Sequence, residues 1–433
     1  MVLKFNEREF ILSRNKQCEL TFLKQIAAYD QQIAPAMRAN GYRRIDAPER
    51  TVLYTFGEMT FSRNRWCKGK QTRYPVDEWL GLKKYMRYSP ELILHLAKHA
   101  SKLSYREVCR TIQVAYQLDV TKDAVLKAVK LAGKLFSEKE RYRFLLEEKQ
   151  PQKIQVDKIY LEGDGVMVKT TSGGDERHNT DLAHFLIHTG SKQIGSNRYT
   201  LEGKHEIIHT DYEKARDELL DYLYNHFEIT EQTILITNSD NGKGYTKRVF
   251  AEIKKALGIK HHEHFWDAYH LNEKLKKYLK PYPATLRDLA FKAVQTHNKS
   301  LLVSVLDTVE SLIETEEEHD CFSAFRNKLI RHFGDTKPAK LRGLSPRGIG
   351  VMESQHRKIT YRMKHRGMYW SIKGAYAMAK MILLERVEQL EMIFFGEWHK
   401  QYELSKGKGT GVGRLSDSGD RYRPSIIKRR RQL

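Results

Sequence analysis

Three carboxylates, each in its own patterned setting, carry the chemistry this chain could perform. Asp164 lies in Leu161-Glu162-Gly163-Asp164-Gly165, Asp240 in Thr237-Asn238-Ser239-Asp240-Asn241-Gly242, and Glu353 in Gly350-Val351-Met352-Glu353-Ser354-Gln355-His356-Arg357. A carboxylate at the end of a buried strand is costly unless a cation or a hydrogen-bond donor compensates it. Two such strand ends and one helical glutamate make a donor set for a pair of divalent ions, Mg²⁺ or Mn²⁺ in its place, in a phosphodiester-cleaving site. Asp164, Asp240 and Glu353 are therefore the expected catalytic and metal-binding residues. Beside Glu353, His356 and Arg357 either approach a phosphate or are ordinary surface charges.

Strands and helices must bring these groups together. Residues 159–169 are apolar and β-branched enough for a strand, Gly173-Gly174 suits a loop, and Leu182 to His188 suits a second strand, which makes a hairpin. A third strand is expected near Glu206 to His209 and a helix over Tyr212 to Phe227. A short buried strand follows at Thr233 to Thr237, with Asp240 just beyond it. A helix (Thr246 to Leu257), a strand (Lys260 to Phe265) and a helix from Ala268 continue the order. Three hairpin-paired strands followed by alternating helices and strands is the order of an α/β ribonuclease H-like core. In that order the first acidic ligand sits on the first strand and the second follows the fourth, where Asp164 and Asp240 fall. Far more residues separate Asp240 from Glu353 than a minimal core needs. The stretch from Leu271 to about Lys340 reads as successive helices, so a helical insertion is expected before a helix running from Glu353 to about Lys364.

Composition points to a polyanionic partner. Lys and Arg number 76 against 54 Asp and Glu, a formal charge of +22 with a pI near 9.6, which suits nucleic acid. The 433 residues allow two or three domains. Cys18, Cys67, Cys109 and Cys321 are widely spaced, so neither a zinc module nor a disulfide framework is indicated. No run approaches the ~18 apolar residues of a membrane span, and the N-terminus lacks the apolar core of an export signal. A cytoplasmic, nucleoid-associated protein with no membrane contact is expected.

The N-terminal region reads as DNA-handling equipment. Residues 7–40 carry helical spacing closed by Asn40-Gly41, and Val52 to Trp66 alternates around Gly57 as a hairpin. Arg63, Arg65, Lys68, Lys70 and Arg73 follow with no acidic residue among them, suited to a phosphate backbone or to a solvated face. Ser89-Pro90 opens a helix with Leu92, Leu96 and Leu103 on its buried side. Ser104 and Glu107 are spaced as a capping box for a helix to about Tyr116. After a tight turn, Thr121 starts a helix exposing Lys122, Lys127 and Lys130. Two short helices, the second basic, have helix-turn-helix spacing, a pattern that any small helical bundle shares.

Asp164-Gly165, Ser239-Asp240-Asn241-Gly242, Asp267-Ala268-Tyr269-His270, Glu353-Ser354-Gln355-His356-Arg357 and Trp370-Ser371-Ile372-Lys373-Gly374-Ala375 together carry a resemblance. The chain resembles the ISLre-type bacterial insertion-sequence transposase family, long catalogued as a protein family of unknown function and similar to the Mutator-like branch of DDE transposases. The likeness runs from near Phe56 to near Leu390. It implies a DDE triad at Asp164, Asp240 and Glu353, divalent metal, and Asp267 and His270 near the site as a marker of the branch. It also implies that the N-terminal region binds the element's terminal inverted repeats in double-stranded DNA, with a homo-oligomer joining the ends to target DNA. The reaction would be in-line phosphoryl transfer without a covalent protein intermediate. A ribonuclease H-like nuclease or resolvase, and a noncatalytic transposase-derived DNA-binding protein, are the alternatives.

The expected organisation is an N-terminal helix and basic hairpin (1–80), a mostly helical helix-turn-helix DNA-binding region (81–150), the first part of the ribonuclease H-like core (151–280), a helical insertion (281–345), the C-terminal part of the core with Glu353 (346–400) and a basic disordered tail (401–433). Asn241 to Thr246 superficially suggests a phosphate loop but lacks the G-x-x-x-x-G-K-[ST] pattern. His261, His262 and His264 are expected at a surface or strand end, since no paired Cys or helical spacing supports zinc.

Overall fold

The computed structural model describes residues 5–143, 152–172, 176–196 and 198–407. The loop expected at Gly173-Gly174 lies outside the described residues; of the tail expected to be disordered over 401–433, residues 401–407 instead belong to a helix over Trp398–Gly407, and the rest lies outside the described residues. The chain forms two compact units, one built from the N-terminal residues to Phe144 together with the segment from Met381, the other from the residues up to Lys380 that lie between.

The second unit holds the three carboxylates. Its five-stranded sheet comprises β1 (Lys158–Thr171), β2 (Arg177–His188), β3 (His205–His209), β4 (Ile234–Ser239) and β5 (His261–Trp266), in the spatial order β3-β2-β1-β4-β5. β3, β2 and β1 pair antiparallel, while β1, β4 and β5 run parallel. The crossovers that parallel strands require are supplied by α1 (Tyr212–His226), between β3 and β4, and α2 (Lys247–Leu257), between β4 and β5.

The strand period of two divides the residues of β1 between the faces of the sheet. Ile159 and Leu161 join Phe185, Ile187, Leu235, Leu219 of α1 and Phe250 of α2 in one buried core, and Tyr160 joins Ile236 and Phe265 on the other side. Helices α3 (Ala268–Leu279), α4 (Ala284–Gln295), α5 (Lys299–Glu310) and α6 (Glu316–Arg331) follow β5 around their own core of Leu275, Leu306, Phe325 and Leu329, filling the region expected to be a helical insertion. Helix α7 (Met352–Met363) carries Glu353. A hairpin over Gly190–Gly195 and Arg198–Glu202, between β2 and β3, was not foreseen. Its residues are polar and mostly exposed, so no buried alternation marks them.

In the first unit, a helix over Glu7–Ala39 packs on a hairpin of Glu49–Tyr54 and Gly57–Ser62 through Ile26, Val52, Met59 and Phe61. Three helices follow, Pro90–Ala100, Tyr105–Tyr116 and Lys122–Arg143. Ser89 caps the first, and Ser104 with Glu107 forms the expected capping box of the second. Leu103 lies beyond the end of the first helix rather than on its buried face, where Leu94 sits instead. The third helix has 22 residues, longer than the short recognition helix expected.

The boundary near residue 400 also moves. The second unit stops at Lys380, so residues 381–400, expected in the catalytic core, pack with the N-terminal helices. Lys98 and Lys102 reach Glu391 and Glu385 at 3.1 and 2.9 Å, and Trp398 and Tyr402 gather around the ring of Tyr142. Pairings between residues so distant in sequence leave no local pattern.

Candidate active site

Strand register puts the two aspartates at the same level. The parallel pairing of β1 with β4 ends at Glu162 opposite Asn238, and Asp164 and Asp240 each lie two residues further on. Asp240 falls just past its strand as expected. Asp164 does not sit at a strand end, because β1 continues to Thr171 paired with β2 and sets Asp164 opposite His184. What ends at Asp164 is the neighbouring parallel strand, and the carboxylate emerges at that step with 22% of its side chain exposed.

Each aspartate is steadied by a following amide. Gly165 N–H donates to Asp164 Oδ1 at 2.7 Å, and Gly242 N–H to Asp240 Oδ1 at 2.6 Å. Gly165 leaves room for Asp181, whose carboxylate oxygen would stand 2.3 Å from a Cβ at that position. Asp181 is thus a further carboxylate at the site. Burial, then the charges of Asp164 and Asp240, push its carboxyl above the ordinary range, a sign of negative charge in excess of local cations.

The first turn of α3 brings in His270. Asp267 caps this helix, accepting His270 N–H at 3.0 Å, while its other oxygen accepts Asn238 Nδ2 at 2.9 Å. Asp267 therefore fixes the helix to the end of β4. His270 Nε2 comes within 3.7 Å of Asp164 Oδ2, and this contact raises the imidazole pKa despite burial. Lys274, one turn along α3, feels Asp240 and Asp164 as well, but burial and Lys328 hold its pKa below the usual lysine value.

Helix α7 is fastened to β1 by Glu162. This carboxylate is 1% exposed and accepts the N–H groups of Gly350, Val351 and Met352 at 2.7 to 3.2 Å. A helix N-terminus presents unpaired donors and partial positive charge, which an acidic side chain satisfies. Burial pushes the Glu162 carboxyl up to about 7 against the opposing pull of those amides. Gly350 takes a φ of +74°, a turn that glycine adopts without strain.

One helical turn past Met352, His356 is buried rather than a surface charge. Its Nδ1 lies 3.8 Å from Asp164 Oδ2 and 3.9 Å from Glu353 Oε2, so the two carboxylates approach one ring nitrogen. Burial and the neighbouring His184, stacked on it at 5.2 Å, lower its pKa to about 4. Burial alone would raise the Asp164 carboxyl, but His270, His356 and the Gly165 amide outweigh it and hold it below the ordinary value. Behind the two imidazoles, Glu206 accepts from Lys358 of α7 at 2.6 Å and lies 3.1 Å from Lys204 and 3.3 Å from His184. Glu353 itself is half exposed, and Arg357 is exposed.

Glu162, Asp181, His184, Glu206 and Lys274 were not anticipated. Glu162 had a signal, since two residues before Asp164 on a strand means the same face. Asp181 and Glu206 had none, because only pairing across the sheet brings them near. His264, expected at a surface, is buried between Thr237 Oγ1 at 2.8 Å and Asn241 Oδ1 at 3.2 Å.

The basic residues expected to meet phosphate divide sharply. Arg63 is held by Asp77 at 2.9 Å, Arg65 by Asp46 at 2.5 Å, and Arg73 by Glu78, while Lys68 donates to the Asn40 carbonyl at 2.9 Å. Only Lys70 of that run stands exposed without such a contact among the described residues. Folding thus spends most of the charge that made the run look like a phosphate contact. Lys122, Lys127 and Lys130 are all exposed on their helix, as expected.

Among the described residues, no three Asp, Glu, His or Cys side chains are drawn close enough to hold a metal ion as they stand. The donors nevertheless fit a hard divalent cation in kind, being carboxylate oxygens in a locally over-acidic cluster. None of the described helices is long and apolar enough to cross a membrane.

A relative from Streptococcus gallolyticus, called "UPF0236 protein in vanSb 3'region", is 28% identical to this chain over 370 residues, which cover 84% of the chain and 79% of the relative. The model of the Uncharacterised protein family (UPF0236) matches residues 3–401, and the chain belongs to that family.

Proposed function

We propose that the protein is a DNA transposase of an insertion sequence, with a ribonuclease H-like core and a DDE triad of Asp164, Asp240 and Glu353. One observation carries the reading: the sheet order β3-β2-β1-β4-β5 sets Asp164 and Asp240 at one level, and a helix fastened beside Asp164 brings Glu353 to the same imidazole. The basic composition and the exposed Lys122, Lys127 and Lys130 support a DNA partner.

Asp164, Asp240 and Glu353 would hold Mg²⁺ or Mn²⁺. When bound, the metal supplies Lewis-acid stabilisation of the charge that develops on the phosphoryl group and the leaving oxygen. The residues around it orient and tune. Glu162 and Glu206 set α7 against the sheet, and the Gly165 and Gly242 amides each fix one oxygen of an aspartate. His270, with its raised pKa, is placed to donate a proton beside Asp164, whereas His356 stays neutral and packs.

The test is cleavage and joining of duplex DNA bearing the inverted repeats that flank the coding region, with Mg²⁺ present. Wild-type protein should cut at the repeat ends and join them to a target. Asp164→Ala should bind the same DNA without cutting it, and nicking by that variant would remove the triad assignment. Cutting without joining would favour a nuclease or resolvase.

A further inference from the structure

Besides Lys70 and the lysines of the third helix, free positive charge in the first unit gathers in a turn that the sequence did not single out. From Trp79 to Pro90 there is no acidic residue, and Lys83, Lys84 and Arg87 cluster around Tyr85. The side chains of Lys83 and Arg87 make no ion pair or hydrogen bond among the described residues. All three cations are exposed, unlike Arg63, Arg65 and Arg73, whose charges are matched by carboxylates.

Tyr85 is 85% exposed and adopts a φ of +64°. A bulky residue in that region carries backbone strain that the surroundings must enforce. Arg50 does so here. Asp77 holds Arg50 Nη1 at 2.6 Å, and Arg50 Nη2 donates to the carbonyls of both Lys83 and Met86 at 2.8 Å. The flanks are pinned as Leu53 N–H donates to Arg87 O and Ser89 N–H to Leu53 O. The turn is a rigid mount holding an aromatic ring in water, with Lys84 Nζ 4.8 Å from the ring centroid.

Resting on the DNA-handling reading above, we propose that this turn is a DNA contact in which Tyr85 stacks on an unpaired base while Lys83, Lys84 and Arg87 grip the adjoining phosphates. The ring's exposure suits a base face, which stacks without regard to sequence, and the three cations match the backbone charge. An acidic protein segment would use the cations but leave the ring without a partner of its own.

Full-length protein is titrated against a fluorescently labelled duplex with a single-stranded 3′ overhang and against a blunt duplex, by anisotropy over a range of salt. Tyr85→Gly should weaken binding to the overhang about tenfold or more, in line with a lost base stack, and blunt-duplex binding much less. Its melting temperature should hold or rise, since glycine relieves the strain. The triple variant Lys83→Ala/Lys84→Ala/Arg87→Ala should lower the salt slope of log K by about 2 to 3. Unchanged overhang binding by Tyr85→Gly, or a lowered melting temperature accounting for its loss, overturns the stacking role. An unchanged salt slope overturns the phosphate grip. Wild-type protein that binds neither probe overturns both this proposal and the transposase reading, whereas tight wild-type binding with indifferent variants removes only the turn.

Discussion

Two sets of buried or half-buried carboxylates lie within one unit of this protein, and they are treated in opposite ways. Glu162 and Glu206 are surrounded by donors, the first by three helix-end amides and the second by two lysines and His184. Their acceptor capacity is used in joining one element to another. Asp164 and Asp240 each have one oxygen bound to a neighbouring amide, and Glu353 is half exposed with His356 near it. Carboxylates that hold structure are satisfied within the fold, and those proposed for chemistry keep oxygens in reserve. The raised pKa of Asp181, driven by burial and by Asp164 and Asp240, marks the same reserve as uncompensated charge.

This contrast separates the effects expected of mutation. The largest is on activity: Asp164→Asn, Asp240→Asn or Glu353→Gln should abolish DNA cleavage in gel assays, with little change in melting temperature for Asp240→Asn and Glu353→Gln and a modest fall for Asp164→Asn, whose ionised carboxylate is favoured by His270 and the Gly165 amide. A large loss of stability in any of them would place that residue in the structural set. Glu162→Ala should do the reverse. It leaves three helix-end N–H groups without their acceptor and should cost about 3 kcal/mol or more in denaturant unfolding, with activity lost through displacement of Glu353.

Acidification should come next. His188, His205 and His262 have pKa values lowered from 6.5 to about 4 by burial. The unfolded chain therefore takes up protons first as pH falls, so stability is complete above about pH 6.5 and is lost progressively below it. At pH 5 each would cost about 2 kcal/mol, read as a falling denaturant midpoint between pH 7 and 5. Constant stability over that range would show the rings to be more open to water than their packing indicates. The smallest stability effect belongs to the exposed lysines. Lys122→Ala, Lys127→Ala and Lys130→Ala should each change stability by less than about 0.5 kcal/mol. Together they should reduce the salt dependence of DNA binding, and an unchanged dependence would remove that helix from the DNA surface.

Much of the site was legible because its signals are local. Asp240 follows a short β-branched strand and precedes a glycine turn, and Glu353 opens an amphipathic helix, so spacing alone located both. The strand bearing Asp164 is legible too, to within two residues of its observed end, because Val166 and Val168 alternate with exposed Met167 and Lys169 along its far half. His356 was left between a surface charge and a site residue. It lies three residues after a glutamate, and nothing local says that another histidine, 172 positions away by number, will cover it. The run from Arg63 to Arg73 misled for the same reason. Its acidic partners Asp46, Asp77 and Glu78 all lie outside the run, so the stretch looks unneutralised when taken by itself.

The amino-acid sequence by itself determined the strands and helices of the core, the basic character of the chain and the identity of the three candidate carboxylates, because these follow from periodicity, capping and composition. Tertiary structure alone decided which charges remain available. Pairing across the sheet and docking of α7 assigned Glu162 and Glu206 to structure and left Asp164 and Glu353 beside one nitrogen of the His356 ring. Whether a charged group is matched depends on distances of a few ångströms between residues remote in sequence, and only the folded chain sets those distances.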